Sequence, residues 1–131
     1  MIILDTCILI FDALAPEKLS EKAVKAIKKA EADKNLFCAG ISLWEIGMLI
    51  SKKRLNVDIE IKEFLELIVQ SRNIEVLNIT PEIAEISTTH PELKHGDPAD
   101  RIIAATTIAH FGDLVTCDQK LLKLKNIKLI W

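Results

Sequence analysis

The chain has 131 residues, half of them apolar and about a quarter charged, which is the balance of an ordinary globular protein with a real core. Its formal net charge of −2 excludes binding to nucleic acid through overall basicity, so a polyanionic partner needs a local basic patch. No apolar run approaches membrane-spanning length, MIILDT at the start does not read as a signal peptide, and Cys7, Cys38 and Cys117, which lack CxxC spacing, read as reduced, buried thiols of a cytoplasmic protein.

Residues 2–4 form a short apolar run without alternation, as a strand buried on both faces requires, and Asp5 breaks it. The stretch 6–19 is assigned no element. Residues 20–33 predict a helix with Ser20 as N-cap and Ala23, Ile27 and Ala30 on one face. LFCA at 36–39 predicts a second strand, closed by Gly40. From Ser42 to Ser51 the pattern is helical, and Ser42 and Glu45 have capping-box spacing. This helix is apolar nearly all round, Trp44 and Met48 included, which points to a subunit or partner surface. A further helix is expected over 58–70 and a third strand over 74–79, after which Thr80-Pro81 opens a helix with proline in its first turn. Residues 90–96 read as a polar loop, and Asp97-Pro98 opens a helix from about 99 to 110. A strand at 114–116, a short helix at 119–124 and a strand at 127–131 complete the pattern. Alternation of this kind predicts one α/β domain over 1–131, a three-layer α/β/α sandwich around a parallel sheet of about five strands.

In an open parallel sheet the functional site lies outside the carboxyl ends of the strands. Asp5 and Asp118 are expected there, with Glu45 and Asp100 in the first turns of helices. Each acid also has a purely structural reading: Asp5 as a turn or cap residue, Glu45 as the closing member of the capping box, Asp100 as a favourable charge near a helix N-terminus, and Asp118 as a cap. Asp97, placed before Pro98, fits an N-cap better than a ligand, leaving Asp100 as the preferred metal ligand. The hydroxyls of Thr6 and Thr116 can orient the carboxylates. Clustered carboxylates repel one another unless a cation neutralises them, and oxygen ligands suit Mg²⁺, with Mn²⁺ as substitute. The chemistry this implies is metal-assisted phosphodiester hydrolysis, with Lys53 and Arg54 available to phosphates and Arg101 available for a salt bridge or a partner contact.

Rival constellations are poorly supported. The histidines lack HExxH spacing, and no GxSxG, GxGxxG or GxxxxGK[ST] occurs. A phosphatase of the haloacid-dehalogenase type also starts from an Asp after the first strand, but its DxD pattern needs an acid where Cys7 stands. A non-catalytic binding module on the same fold is the remaining alternative.

Taken together, MIILDT, ISLWEIGML, HGDPADRIIAAT and LVTCDQKL resemble the PIN-domain family, and within it the VapC-like toxins of type II toxin–antitoxin modules, over essentially the whole chain. The resemblance implies an Mg²⁺- or Mn²⁺-dependent endoribonuclease that acts on RNA, forms a homodimer and is inhibited by a cognate antitoxin protein. It places the family's acidic ligands on Asp5, Glu45, Asp100 and Asp118, and its hydroxyl beside the last acid on Thr116.

Overall fold

A computed structural model describes residues 1–131. Five short strands, β1 (Ile2–Leu4), β2 (Leu36–Ala39), β3 (Glu75–Leu77), β4 (Asp113–Val115) and β5 (Lys128–Ile130), form one parallel sheet in the order β3-β2-β1-β4-β5. Six helices connect them: α1 (Thr6–Leu14), α2 (Glu21–Ala32), α3 (Gly40–Ser51), α4 (Ile61–Ser71), α5 (Pro81–Thr89) and α6 (Pro98–Ala109). None is long and apolar enough to cross a membrane.

Successive side chains of a strand point to opposite faces, so three or four apolar residues in a row feed two cores. Leu4, Leu36, Cys38 and Val115 pack with Ile8, Ile27 and Phe64 beneath α1, α2 and α4. Ile3, Phe37, Ala39 and Leu114 pack with Ile83, Ile103 and Leu121 beneath α5 and α6. This is the three-layer arrangement expected from the sequence. Helix α3 touches both cores, Ile41 packing on the second and Ile46 on the first, which carries Glu45 over the sheet edge.

Several local expectations are met. Ser20 caps α2 by accepting from the Ala23 N–H, Thr80 caps α5, and Asp97 caps α6 with Pro98 in its first turn. Others are corrected. The unassigned stretch after Asp5 contains α1, with Asp5 as its N-cap. Helix α3 starts at Gly40 rather than Ser42 and has no side-chain cap, so the Ser42–Glu45 capping box does not form. Helix α4 starts at Ile61, three residues later than its apolar pattern suggested, and the segment 119–124 is a 3-10 turn, Leu121–Lys123. Cys38 is buried, but Cys7 and Cys117 are only partly so.

Three helices on one face are tied by a single guanidinium. Arg72, which follows α4, donates through Nε and Nη2 to the two carboxylate oxygens of Asp12 on α1, and through Nη1 to Glu31 on α2 at 2.7 Å. The Asp12 side chain is only 11% exposed, and removing one partner of a buried pair leaves the other charge uncompensated. Arg72→Ala is therefore expected to lower unfolding free energy by about 2–3 kcal/mol in urea titrations. Asp12→Asn in that background should restore part of the loss; no restoration would show that the cost is lost packing.

Candidate active site

The chain leaves β1 toward β2 on one side, and β4 lies on the other. This reversal opens a crevice at the carboxyl ends of β1 and β4, where Asp5 and Thr116 emerge side by side. The main chain fixes their separation, since the Asp5 N–H donates to the Val115 carbonyl at 3.0 Å. Asp5 is 4% exposed and Thr116 fully buried. The Thr116 hydroxyl donates to Asp5 Oδ2 at 2.6 Å, the Cys7 thiol reaches the same oxygen at 3.3 Å, and Oδ1 accepts the Thr6 N–H at 2.8 Å. One carboxylate thus caps a helix and joins two strands.

From the first turn of α1 the network runs to α3. The Thr6 hydroxyl donates to Glu45 Oε1 at 2.5 Å and lies 3.0 Å from Ser42 Oγ. A threonine hydroxyl has one proton, so Ser42, fully buried, supports the oxygen whose proton points at Glu45. The serine and acid that looked like a capping box are instead both engaged by α1.

Asp97 Oδ1 accepts from the N–H groups of Ala99 and Asp100, at 2.9 and 3.3 Å. This is the capping role read from the sequence, yet Asp97 also belongs to the tightest acidic group. Carboxylate oxygens of Glu45, Asp97 and Asp100 all lie within 4.8 Å of one another. Asp5 and Asp118 stand outside that group. Asp118 accepts through Oδ1 from the N–H groups of Lys120 and Leu121, at 2.8 and 3.0 Å, bracing the turn that leads into the 3-10 segment although Lys120 is that segment's N-cap. Its charge nevertheless acts on both Asp5 and Asp100.

The electrostatics are unrelieved. Every ion pair in the molecule lies elsewhere, between Lys62 and Glu66, Arg72 and Asp12 or Glu31, and Lys128 and Asp113. Burial, followed by the charges of Asp5, Asp118, Asp97 and Glu45, pushes Asp100 up to about 7. Burial also raises Asp5, against the donors Thr116, Cys7 and Thr6, and it raises Glu45, with Asp5 and Asp97 adding to the effect. Clustered, uncompensated, all-oxygen donors fit a divalent metal cation, and they explain what would otherwise be a purely destabilising arrangement.

Lys53 and Arg54 follow the end of α3, roughly 9 Å or more along the helix from Glu45. Arg101 neither bridges an acid nor stands free: its Nε and Nη2 donate to the Ser87 carbonyl at 3.1 and 2.9 Å, binding α6 to α5. Arg101 lines a cavity of about 70 Å³ with Asp97 and Asp100, and so do two residues that the sequence reading missed, His95 and Lys120. No motif marks them, because they come from the loop before α6 and the turn after β4.

The raised Asp100 has a signed consequence for the metal-free protein. Its folded value, about 7, lies above the ordinary 3.8, so the folded state holds the proton more tightly. The penalty for ionising it is absent below about pH 4 and grows until pH passes 7. Asp100→Asn should stabilise the metal-free protein at pH 8 by about 1–2 kcal/mol, a figure discounted because the carboxyl is half exposed. At pH 4 the two proteins should unfold alike. Denaturant titration at both pH values checks this, and equal stability at pH 8 would count against the electrostatic account.

Comparison with known proteins identifies the family. The PIN domain family model matches residues 2–127. Ribonuclease VapC22 of Mycobacterium tuberculosis is 32% identical over 120 residues, covering 92% of this chain and 88% of the relative. Among solved structures, VapBC2 from Rickettsia felis bound to a promoter DNA fragment superposes with a TM-score of 0.69 at 20% identity, over 98% of this chain and 97% of the other. DNA-bound VapBC from Salmonella typhimurium gives 0.67 at 18% identity, over 98% and 95%. The fold is common to all of these, and the family match spans nearly every residue, both acidic helices and the β1–β4 crevice: the chain belongs to the PIN-domain family.

Proposed function

We propose that this protein is a metal-dependent endoribonuclease, the toxin of a VapBC-type toxin–antitoxin pair, acting in the cytoplasm. The observation that carries the reading is the group formed by Glu45, Asp97 and Asp100 within 4.8 Å, with no cation paired to it. Kinship with Ribonuclease VapC22 supplies the substrate class.

Glu45, Asp97 and Asp100 would hold Mg²⁺, or Mn²⁺ in its place, with Asp5 and Asp118 adding carboxylates from the strand side; such a cation would supply activation of water and offset charge on the phosphoryl oxygens. Thr116 keeps Asp5 aimed into the crevice, and Thr6 holds Glu45 against repulsion from Asp5. Lys120 and Arg101 line a cavity with Asp97 and Asp100 and provide local positive charge for an RNA phosphate on a chain of net charge −2.

The test is cleavage of a mixed pool of structured RNAs with Mg²⁺ or Mn²⁺ against EDTA. Cleavage should be lost with EDTA. Asp5→Asn and Asp100→Asn should each reduce it about a thousandfold, and Thr116→Val by about tenfold, through misplacement of Asp5. Full cleavage by folded Asp100→Asn would overturn the site. A folded protein that neither cuts RNA nor binds Mn²⁺ would instead be a binding module on this fold.

The apolar character of α3 supports a partner. Trp44 is 59% exposed, and a groove of about 550 Å³ runs between α3 and α4, with Leu43, Ile61, Leu65 and Val69 along it and Lys62, Glu66 and Gln70 beside them. The antitoxin and a second copy of this chain are the occupants that the family relationship favours. Light scattering should give a dimer mass that Trp44→Glu reduces to a monomer, and co-expressed antitoxin should suppress cleavage. A wild-type monomer whose cutting the antitoxin leaves untouched would reject both assignments.

A further inference from the structure

The two partly buried cysteines stand together at the acidic crevice. Cys7 Sγ, in the first turn of α1, lies 3.2 Å from Cys117 Sγ, in the segment after β4, although 110 residues separate them. The first thiol touches Asp5 Oδ2 at 3.3 Å. The second lies between Thr116, which donates to that same oxygen, and Asp118. Neither sulfur is among the carboxylate oxygens that form the acidic group. Cys38, fully buried on β2, has no sulfur neighbour of this kind.

We propose that Cys7 and Cys117 form a reversible disulfide that switches the adjacent carboxylate site off. Closing the bond draws the sulfurs from 3.2 Å to about 2.05 Å. The Cys7 thiol then no longer donates to Asp5, and the chain carrying Thr116 and Asp118 is pulled toward α1. Both changes act on carboxylates that Thr116 and Thr6 otherwise hold in register.

A small disulfide such as oxidised glutathione supplies the oxidant. The Cys117 thiolate attacks one glutathione sulfur, forming a mixed disulfide and releasing one glutathione. The Cys7 thiolate then attacks Cys117 Sγ, releasing the second. Two protein thiols lose two electrons and two protons, and one glutathione disulfide becomes two thiols. Cys7 Sγ, 3.2 Å from Cys117 Sγ, is placed to resolve the mixed disulfide.

This regulation rests on the ribonuclease reading, but formation of the bond does not. Reduced protein is incubated with oxidised glutathione, digested with trypsin and examined by mass spectrometry for a link between peptides 1–18 and 102–120. In parallel, RNA cleavage, Mn²⁺ binding and melting temperature are measured before and after dithiothreitol. The expected result is the 7–117 link, cleavage and Mn²⁺ affinity reduced at least tenfold, and full recovery on reduction. Melting temperature should rise, because the link closes a very long loop in the unfolded chain, whereas oxidative damage would lower it. Cys38→Ser should respond as wild type, and Cys7→Ser and Cys117→Ser should each keep their cleavage in oxidised glutathione. Only glutathione adducts, or a 7–117 link with cleavage and Mn²⁺ affinity unchanged, would overturn the proposal. If reduced protein cuts no RNA, the ribonuclease reading fails separately, and the link together with Mn²⁺ affinity still decides the switch.

Discussion

The hydrogen bond from the Thr116 hydroxyl to Asp5 is the contact on which the site's architecture turns. It joins the ends of two central strands at the point where the chain reverses direction across the sheet. Asp5 has little freedom there: one oxygen caps α1, and the other accepts the threonine. Since α1 carries Thr6 and Thr6 holds Glu45, the position of an acid on α3 is set from β1 through two side chains and no flexible loop. Rigid elements hold reacting groups more closely than loops do, and here Glu45 and Asp100 sit within helices.

The molecule handles its charges in two ways. Under α1, α2 and α4, Arg72 satisfies two carboxylates at once. At the crevice, five carboxylates gather with no such partner, and burial makes their mutual repulsion worse. The first arrangement contributes stability. The second costs stability, and a fold tolerates it only where something outside the chain supplies the missing charge. The two lie on the same sheet, which makes their contrast a guide to which acids are structural.

The fold was largely legible because the strands are short, mostly apolar runs and α2, α5 and α6 announce their caps. Ser20, Thr80 and Asp97 do in space what their local sequence implies. Helix α1 escaped notice because its cap, Asp5, also ends a strand, and the residues on either side are apolar in both roles. Four site acids could be proposed from strand ends and helix starts, but their grouping could not. Asp97 was set aside for having a sufficient structural explanation, and the structure gives it both roles. Ser42 and Glu45 matched a local motif, yet a contact 39 residues away claims Glu45. The cysteine pair and the His95–Lys120 wall depend on side-chain meetings between distant segments, for which a single sequence carries no pattern.

Thr116 and Asp5 are separated by 111 residues, and this span orders events during synthesis. A growing chain emerges from the ribosome with Asp5 first, then Glu45, then Asp97 and Asp100, and can begin to pack α1 to α5 on the way. Until β4 follows and slots in beside β1, the first acid has no threonine to hold it and the central crevice has only one wall. The acidic centre is thus completed late, when β4 brings Thr116 and Asp118 to Asp5.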